Sequence, residues 1–463
     1  MTSPDAGAAT PGPDASAARV PSDGAGGPPV ALRFRDAPAG LFTLPWALPL
    51  ATWPEAGIAF LPLPVGESRH VVRFLAVDDV VFALKELPLR PARGEYAAMR
   101  YLEEHGAPAV RIAGLVERPA DETAIVVTRY LARSLQLRRL FRRLPEAGRR
   151  HRERLLDAMA MLLVELHRNG VYWGDCSLAN TLLLRDGQSL QAHLVDAETS
   201  EVHATLSAGQ RAVDVEIALE NVAGDLLDIA VSGGRALDDA DDDLAAALSL
   251  RDRYETLWAE LHRSDPVGPQ DRFRVAARLR RLNALGFVVE EVRLDPAAAG
   301  NGGATARLRV AVGDRRFHAD RLHRLTGLTA GEGQATVLLN DLAAWAGLAP
   351  PEGAGPLADE PLEVDVLGPM HRAGRRWLRD IFVPMVTRLR AVLGEDADPV
   401  QAYCDFLEVK WLLSEEAGRD IGDAAAIARL AAHSVPAGSA AGMAVAEEPT
   451  LLGPAGEVLL PPA

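Results

Sequence analysis

The chain has 463 residues, of which 48% are hydrophobic and 24% charged, and its net charge at neutral pH is −15. That length asks for two or three domains rather than one core. The acidic balance argues against a broad nucleic-acid surface, which needs excess positive charge.

Two cysteines, Cys176 and Cys404, cannot build a disulfide framework or a four-thiolate zinc site, and they fit a reducing cytoplasm. No apolar run reaches the ~18–20 residues that span a bilayer. The N-terminus lacks the basic-then-apolar order of a secretion signal.

Residues 1–30 are small, rich in Pro, Gly and Ala, and without periodicity, which predicts a disordered tail. Residues 58–65 (IAFLPLPV), 70–77 (HVVRFLAV) and 80–87 (VVFALKEL) read as strands, the last two joined by an Asp78-Asp79 turn. Residues 91–105 read as a helix. RIAGLVE and TAIVVTRYL add two strands around a turn at Asp121-Glu122. Residues 31–132 thus make a β-rich lobe with one helix.

Strand alternation puts Ala83 and Lys85 on one face, and Phe82 and Leu84 on the other. A small Ala83 leaves room for a flat base, and Lys85 two residues on reaches phosphates. The plainer account of Lys85 is a snorkelling strand lysine. On the helix that follows, Glu95 shares a face with Ala98, Met99 and Leu102, which makes it the counter-charge for a buried Lys85. The plainer account of Glu95 is an acid stabilised by the helix dipole.

From residue 133 to about 265 the pattern turns helical. Leu155, Met159, Leu162, Leu163 and Leu166 form one apolar stripe, ending at an Asn169-Gly170 cap. His167 on that helix reads as a capping or core residue rather than a base. The stretch after the cap, GVYWGDCSLANTLLL, places Asp175 ahead of Asn180 with four residues between them. A second isolated carboxylate, Asp196, follows another apolar run. Asp175 can accept a hydrogen bond from a substrate hydroxyl, and Asn180 and Asp196 offer the hard oxygens that magnesium takes. Turn chemistry alone also favours Asp and Asn in such loops.

These ordered positions resemble the protein-kinase-like superfamily. Within it they are most similar to its bacterial lipopolysaccharide (Kdo/heptose) kinase-like branch and to aminoglycoside phosphotransferases. The whole chain also resembles a bacterial domain-of-unknown-function family that joins such a front half to a helical rear half. The resemblance implies an α+β, two-lobed kinase-like fold and ATP with Mg²⁺ as cofactors. It implies Lys85 on the nucleotide's phosphates with Glu95 orienting it, and Asp175 as base. It also implies Asn180 and Asp196 as metal ligands, and residues 129–132, Tyr130 among them, as the hinge beside the adenine.

Against that pattern, the Gly-rich loop shrinks to VGES, where only the amides of Gly66 to Ser68 cover phosphates. The metal triplet reads Asp196-Ala197-Glu198, so Glu198 is a candidate for a second metal. Trp173-Gly174 before Asp175 is nearer the His-Gly-Asp of small-molecule kinases than the His-Arg-Asp of protein kinases. The expected acceptor is therefore a hydroxyl on a sugar or other small molecule, with a protein Ser/Thr second. The alternative is a nucleotide-binding pseudokinase or regulatory module with a protein partner on its C-terminal half.

Residues 137–154 hold eight arginines. They read either as a solvated helical face or as a docking surface for an anionic acceptor. Residues 270–350 read as a small α+β accessory region whose helix–hairpin–helix order imitates a winged helix without a clear basic recognition helix. Residues 360–434 read as a helical region in which Val409, Leu412, Leu413 and Ala417 pack. A disordered tail is expected over 435–463.

Overall fold

Alternating residues in two adjacent runs and a tight acidic turn are the start of the first sheet. In the computed structural model, β1 (Ala31–Phe34) precedes the hairpin of β2 (Val71–Val77) and β3 (Val80–Pro88). Asp78 and Asp79 form its turn with φ of 46° and 63°. The structure describes residues 30–63, 65, 69–143, 149–234, 241–267, 272–296, 306–347, 367–436 and 439–445. The expectations for residues 1–29, Gly66 and Ser68, and most of the C-terminal tail, lie outside that set.

Helix α1 (Leu89–Glu104) follows, then β4 (Ile112–Arg118) and β5 (Thr123–Arg129). The five strands form one antiparallel sheet in the order β1-β4-β5-β3-β2. Residues 58–65 were expected to supply one of these strands and do not: Leu61 alone bridges to Phe74. Pro62 has no N–H to continue a ladder. The fifth strand is β1, on the far edge, paired with β4 from Ala31↔Glu117 to Phe34↔Gly114. Phe82 and Leu84 bury on one face with Trp46, Trp53 and Ile125, which leaves Ala83 and Lys85 for the other.

The second lobe begins with β6 (Leu135–Gln136), α2 (Leu137–Arg143) and α3 (Arg149–Arg168). Next come β7 (Val171–Tyr172), the hairpin β8 (Thr181–Asp186) and β9 (Ser189–Leu194), and β10 (Glu201–Val202). Helices α4 (Ala208–Ser232) and α5 (Asp241–His262) complete it. The apolar stripe of α3 is fully buried. At its end Gly170 has φ +72°, and a Cβ there would overlap the His203 carbonyl oxygen, so only glycine fits. A β-rich lobe facing a helical one is the two-lobed kinase-like arrangement.

The rear half opens with β11 (Asp265–Val267), α6 (Arg272–Ala284), β12 (Phe287–Pro296) and β13 (Ala306–Arg315), the three strands forming a sheet in the order β11-β13-β12. Then come α7 (Phe317–Thr326), α8 (Glu332–Trp345) and α9 (Leu367–Trp377), a π turn over Leu378–Phe382, α10 (Val383–Leu393), α11 (Pro399–Ala417), α12 (Asp423–Ala431) and α13 (Ala440–Val445).

The cores do not divide where the composition suggested. Leu282 and Phe287 belong to the same core as Met99, Leu163 and Trp173. Leu322, Leu338, Trp377, Tyr403 and Val409 form a separate one. The expected accessory region 270–350 is therefore split between two cores. In α11, Val409 is buried but Ala417 is exposed, because the helix runs past its partners before Gly418 ends it. The expected tail holds α13, whose Ala440 N–H donates to Glu408 at 2.8 Å.

The rear half is seated on the β8–β9 hairpin. Asp186, buried at its tip, accepts the N–H groups of Gly333 and Gln334 at 2.7 and 2.8 Å, at the start of α8. Gln401 on α11 bonds both the N–H and the carbonyl of Gly187 at 3.0 Å. Arg185 pairs with Asp405 at 2.7 Å. Gly333 itself lies so close that a Cβ would overlap the Asp186 carbonyl oxygen and the Ser189 hydroxyl.

Candidate active site

Between the lobes lies a cavity of about 990 Å³. It brings together Ala83, Lys85, Glu95, Tyr130, Asp175, Asn180, Asp196 and Glu198. Gly66 and Ser68 are outside the described residues; their neighbours Val65, Arg69 and His70 line the same cavity.

Lys85 leaves β3 on the cavity face. Its Nζ donates to Asp196 at 2.6 Å, Glu95 at 3.2 Å and Glu198 at 3.4 Å. Burial alone would pull the Lys85 pKa down, but Glu95 and Asp196 outweigh it and hold the ammonium charged. Glu95 is itself pushed up to about 7 by burial and by the Asp196 carboxylate, against the pull of Lys85. Glu198 also meets His70 Nε2 at 2.9 Å, a contact between the two lobes. Asp196 Oδ1 accepts the Glu198 N–H at 3.0 Å, which shapes the triplet as a tight turn.

Asp175 is held from both sides. Asn180 Nδ2 donates to Asp175 Oδ2 at 3.0 Å and Asn221 Nδ2 to Oδ1 at 3.1 Å. Burial and the Asp196 charge raise its pKa, opposed by these amides and by Arg69. With its amide nitrogen committed to Asp175, Asn180 keeps its carbonyl oxygen for a cation. That oxygen and the carboxylates of Asp196 and Glu198 are hard donors of the kind magnesium takes. Magnesium uses one or two carboxylates plus phosphate oxygens rather than an all-protein cage. Among the described residues, no group of three or more His, Cys, Asp or Glu side chains is placed to hold a metal ion by itself.

The loop's position depends on a residue the sequence reading missed. Asp214, fully buried on α4, accepts the N–H of Trp173 at 2.7 Å and of Gly174 at 2.8 Å. His167 Nε2 lies 2.9 Å from Asp214 Oδ2, and its Nδ1 lies 2.7 Å from the Tyr254 hydroxyl. The Trp173 indole N–H reaches the Asp196 carbonyl at 3.0 Å, tying the two acidic segments together. One turn apart on the same helix, Asn221 supports Asp175, and Asp225 accepts the Leu178 N–H at 2.9 Å. No spacing rule marks these residues; each acts across more than forty positions of chain.

Tyr130, directly after β5, donates its N–H to the Val81 carbonyl at 2.9 Å and sets its ring edge-on to Phe74. Cys176 is buried and its thiol is raised by burial, which leaves no reactive thiolate.

Comparison with known families follows the same geometry. Residues 78–216 match the lipopolysaccharide kinase (Kdo/WaaP) family, and residues 256–434 match a domain of unknown function, DUF4032. The chain joins a stretch similar to the one family to a stretch similar to the other. The first match takes in Lys85, Glu95, the Asp175 loop, Asp196 and Asp214.

No curated protein matches the chain. A solved structure titled "WaaP in complex with acyl carrier protein" is similar at 21% identity. The match covers 49% of this chain and 99% of that one, with a TM-score of 0.31. The stretch similar to the Kdo/WaaP family holds the residues that line the cavity from Lys85 to Glu198. The DUF4032 stretch holds the helices seated on its β8–β9 hairpin, and among the described residues no helix is long and apolar enough to cross a membrane.

Proposed function

We propose that the protein transfers the terminal phosphoryl group of ATP, with magnesium, to a hydroxyl on a sugar or other small molecule. The observation that carries this reading is the convergence of Lys85, Asp196 and the Asp175–Asn180 pair on one cavity. Magnesium, when bound with the nucleotide, neutralises charge that builds on the phosphate oxygens.

Each residue then has a distinct task. Lys85, braced by Glu95, holds the phosphates further from the transfer. Ala83 gives the base its space, and the backbone near Tyr130 meets its edge. Asp196 and the Asn180 oxygen are the metal ligands, with Glu198 in reserve. Asp175 accepts the acceptor's hydroxyl proton while that oxygen bonds to the terminal phosphorus. The bond from phosphorus to the bridging oxygen breaks, and ADP leaves with the electron pair. Little covalent work falls to the protein, so positioning and charge dominate the rate.

The test combines binding and turnover. Saturation with ATP–Mg²⁺ at about a hundred times its dissociation constant should stabilise the fold by ~2.7 kcal/mol. In a labelled-ATP screen of a metabolite extract, the intact chain labels an acceptor and Asp175→Asn labels it ~10²–10⁴-fold more slowly, with nucleotide affinity unchanged. Nucleotide binding without transfer to any extract component would replace the enzyme reading with a nucleotide-binding regulatory one.

A further inference from the structure

The cavity sits at the upper end of the ~300–1,000 Å³ range of ligand pockets, leaving room for a second molecule beside a nucleotide. Its wall is not uniform. Lys85, Asp196 and Asn180 line it, and so does a set of arginines, Arg138, Arg139 and Arg142. They come from α2, directly after the hinge, and their i+3 and i+4 spacing places them on one helix face.

That face is anchored to the catalytic loop. Arg138 pairs with Asp225, the same carboxylate that accepts the Leu178 N–H at 2.9 Å, and it approaches Asp228 at 3.5 Å. Asp225 lines the cavity together with Arg138, Arg139 and Arg142. A helix that only needed solvation would gain nothing by turning three arginines into a cleft. A cationic set in a chain of net charge −15 is a local choice. Planar guanidinium forks match the several oxygens of a phosphate better than a single carboxylate does.

We propose that this arginine face of α2 is a subsite for a phosphate monoester carried by the acceptor itself, so that the acceptor is a small, already phosphorylated hydroxy compound. The arginines line the same cavity as Asp175, which favours a soluble molecule over a membrane surface. The word acceptor rests on the phosphotransferase reading; the anion site rests on the arginines alone.

The test measures binding of labelled inorganic phosphate to the full chain by equilibrium dialysis. Magnesium and a non-hydrolysable ATP analogue are present to fill the nucleotide site. Wild type should bind one phosphate per chain saturably. Arg139→Glu with Arg142→Glu, which leaves the Arg138–Asp225 brace intact, should weaken binding at least about tenfold, the scale of one lost charge-assisted bond. If the double variant fails to fold, Arg142→Glu at its exposed position reads the same loss.

Absence of saturable phosphate binding, or equal binding by a folded variant, overturns the subsite. Arginine-dependent association with phosphatidylglycerol vesicles in place of dialysable phosphate overturns it too, and assigns the face to lipid. Failure of the ATP analogue to bind, with arginine-dependent phosphate binding retained, removes the nucleotide reading and leaves the subsite standing.

Discussion

Glu95 is 1% exposed against Lys85, whose ammonium also meets Asp196, and burial with the Asp196 charge lifts its pKa to about 7. An unfolded glutamate titrates near ~4.3, so the folded state binds this proton more tightly. Its contribution to stability is complete below the unfolded value and is lost as the pH rises through the folded one. Without nucleotide, the protein should lose up to roughly 3 kcal/mol through this group between about pH 4.5 and 7.5. Denaturant titrations across that range should show the slope in wild type and its absence in Glu95→Gln.

The pairing of Lys85 with Glu95 was legible because strand alternation and one helix face fix both directions locally. Asp214, Asn221 and His70 were not legible. Their roles arise when α4 packs beneath the loop, and when His70, just before β2, meets the triplet ending in Glu198. Neither meeting leaves a local spacing signal.

At the scale of elements, the helix–loop junction at Gly170 is the most constrained turn. Its φ of +72° and the His203 carbonyl against its missing Cβ make Gly170→Ala costly on two counts. The loss should be at least ~2 kcal/mol, read as a fall in the urea midpoint at constant slope. Helices with long apolar stripes, such as α3, were readable to within a few residues, since their period is set by one buried face. Strand identity was harder. Residues 58–65 have the hydrophobicity of a strand but carry Pro62, and only Leu61 pairs. The edge went to the four-residue β1, too short for alternation to announce it. Ala417 was expected to pack because the period of α11 continued; the partners of that helix end before it does.

Over the whole molecule, the two halves share more than a linker. Leu282, Phe287 and Ala440 complete the core under α3, while α8 and α11 grip the hairpin that runs from Asn180 to Asp196. Gln401 is the central bond of that grip. Gln401→Ala would leave the Gly187 N–H and carbonyl buried and unpaired, at a cost of roughly 3 kcal/mol. The same variant should raise hydrogen exchange along β8 and β9 more than in the first lobe, which exchange measured by mass spectrometry would check. Composition could not reveal this grip, because glutamine and aspartate at such positions look like ordinary surface residues until the hairpin tip is placed between them.

The near-touching glycines at that tip carry a practical lesson for anyone exchanging rear halves between relatives. Gly187 has φ +65° and would set a Cβ 2.8 Å from the Gly333 carbonyl, so neither residue has space to drift without the other. A chimera must therefore transplant both sides of the joint, the hairpin end together with the opening turn of α8, or the graft will not close.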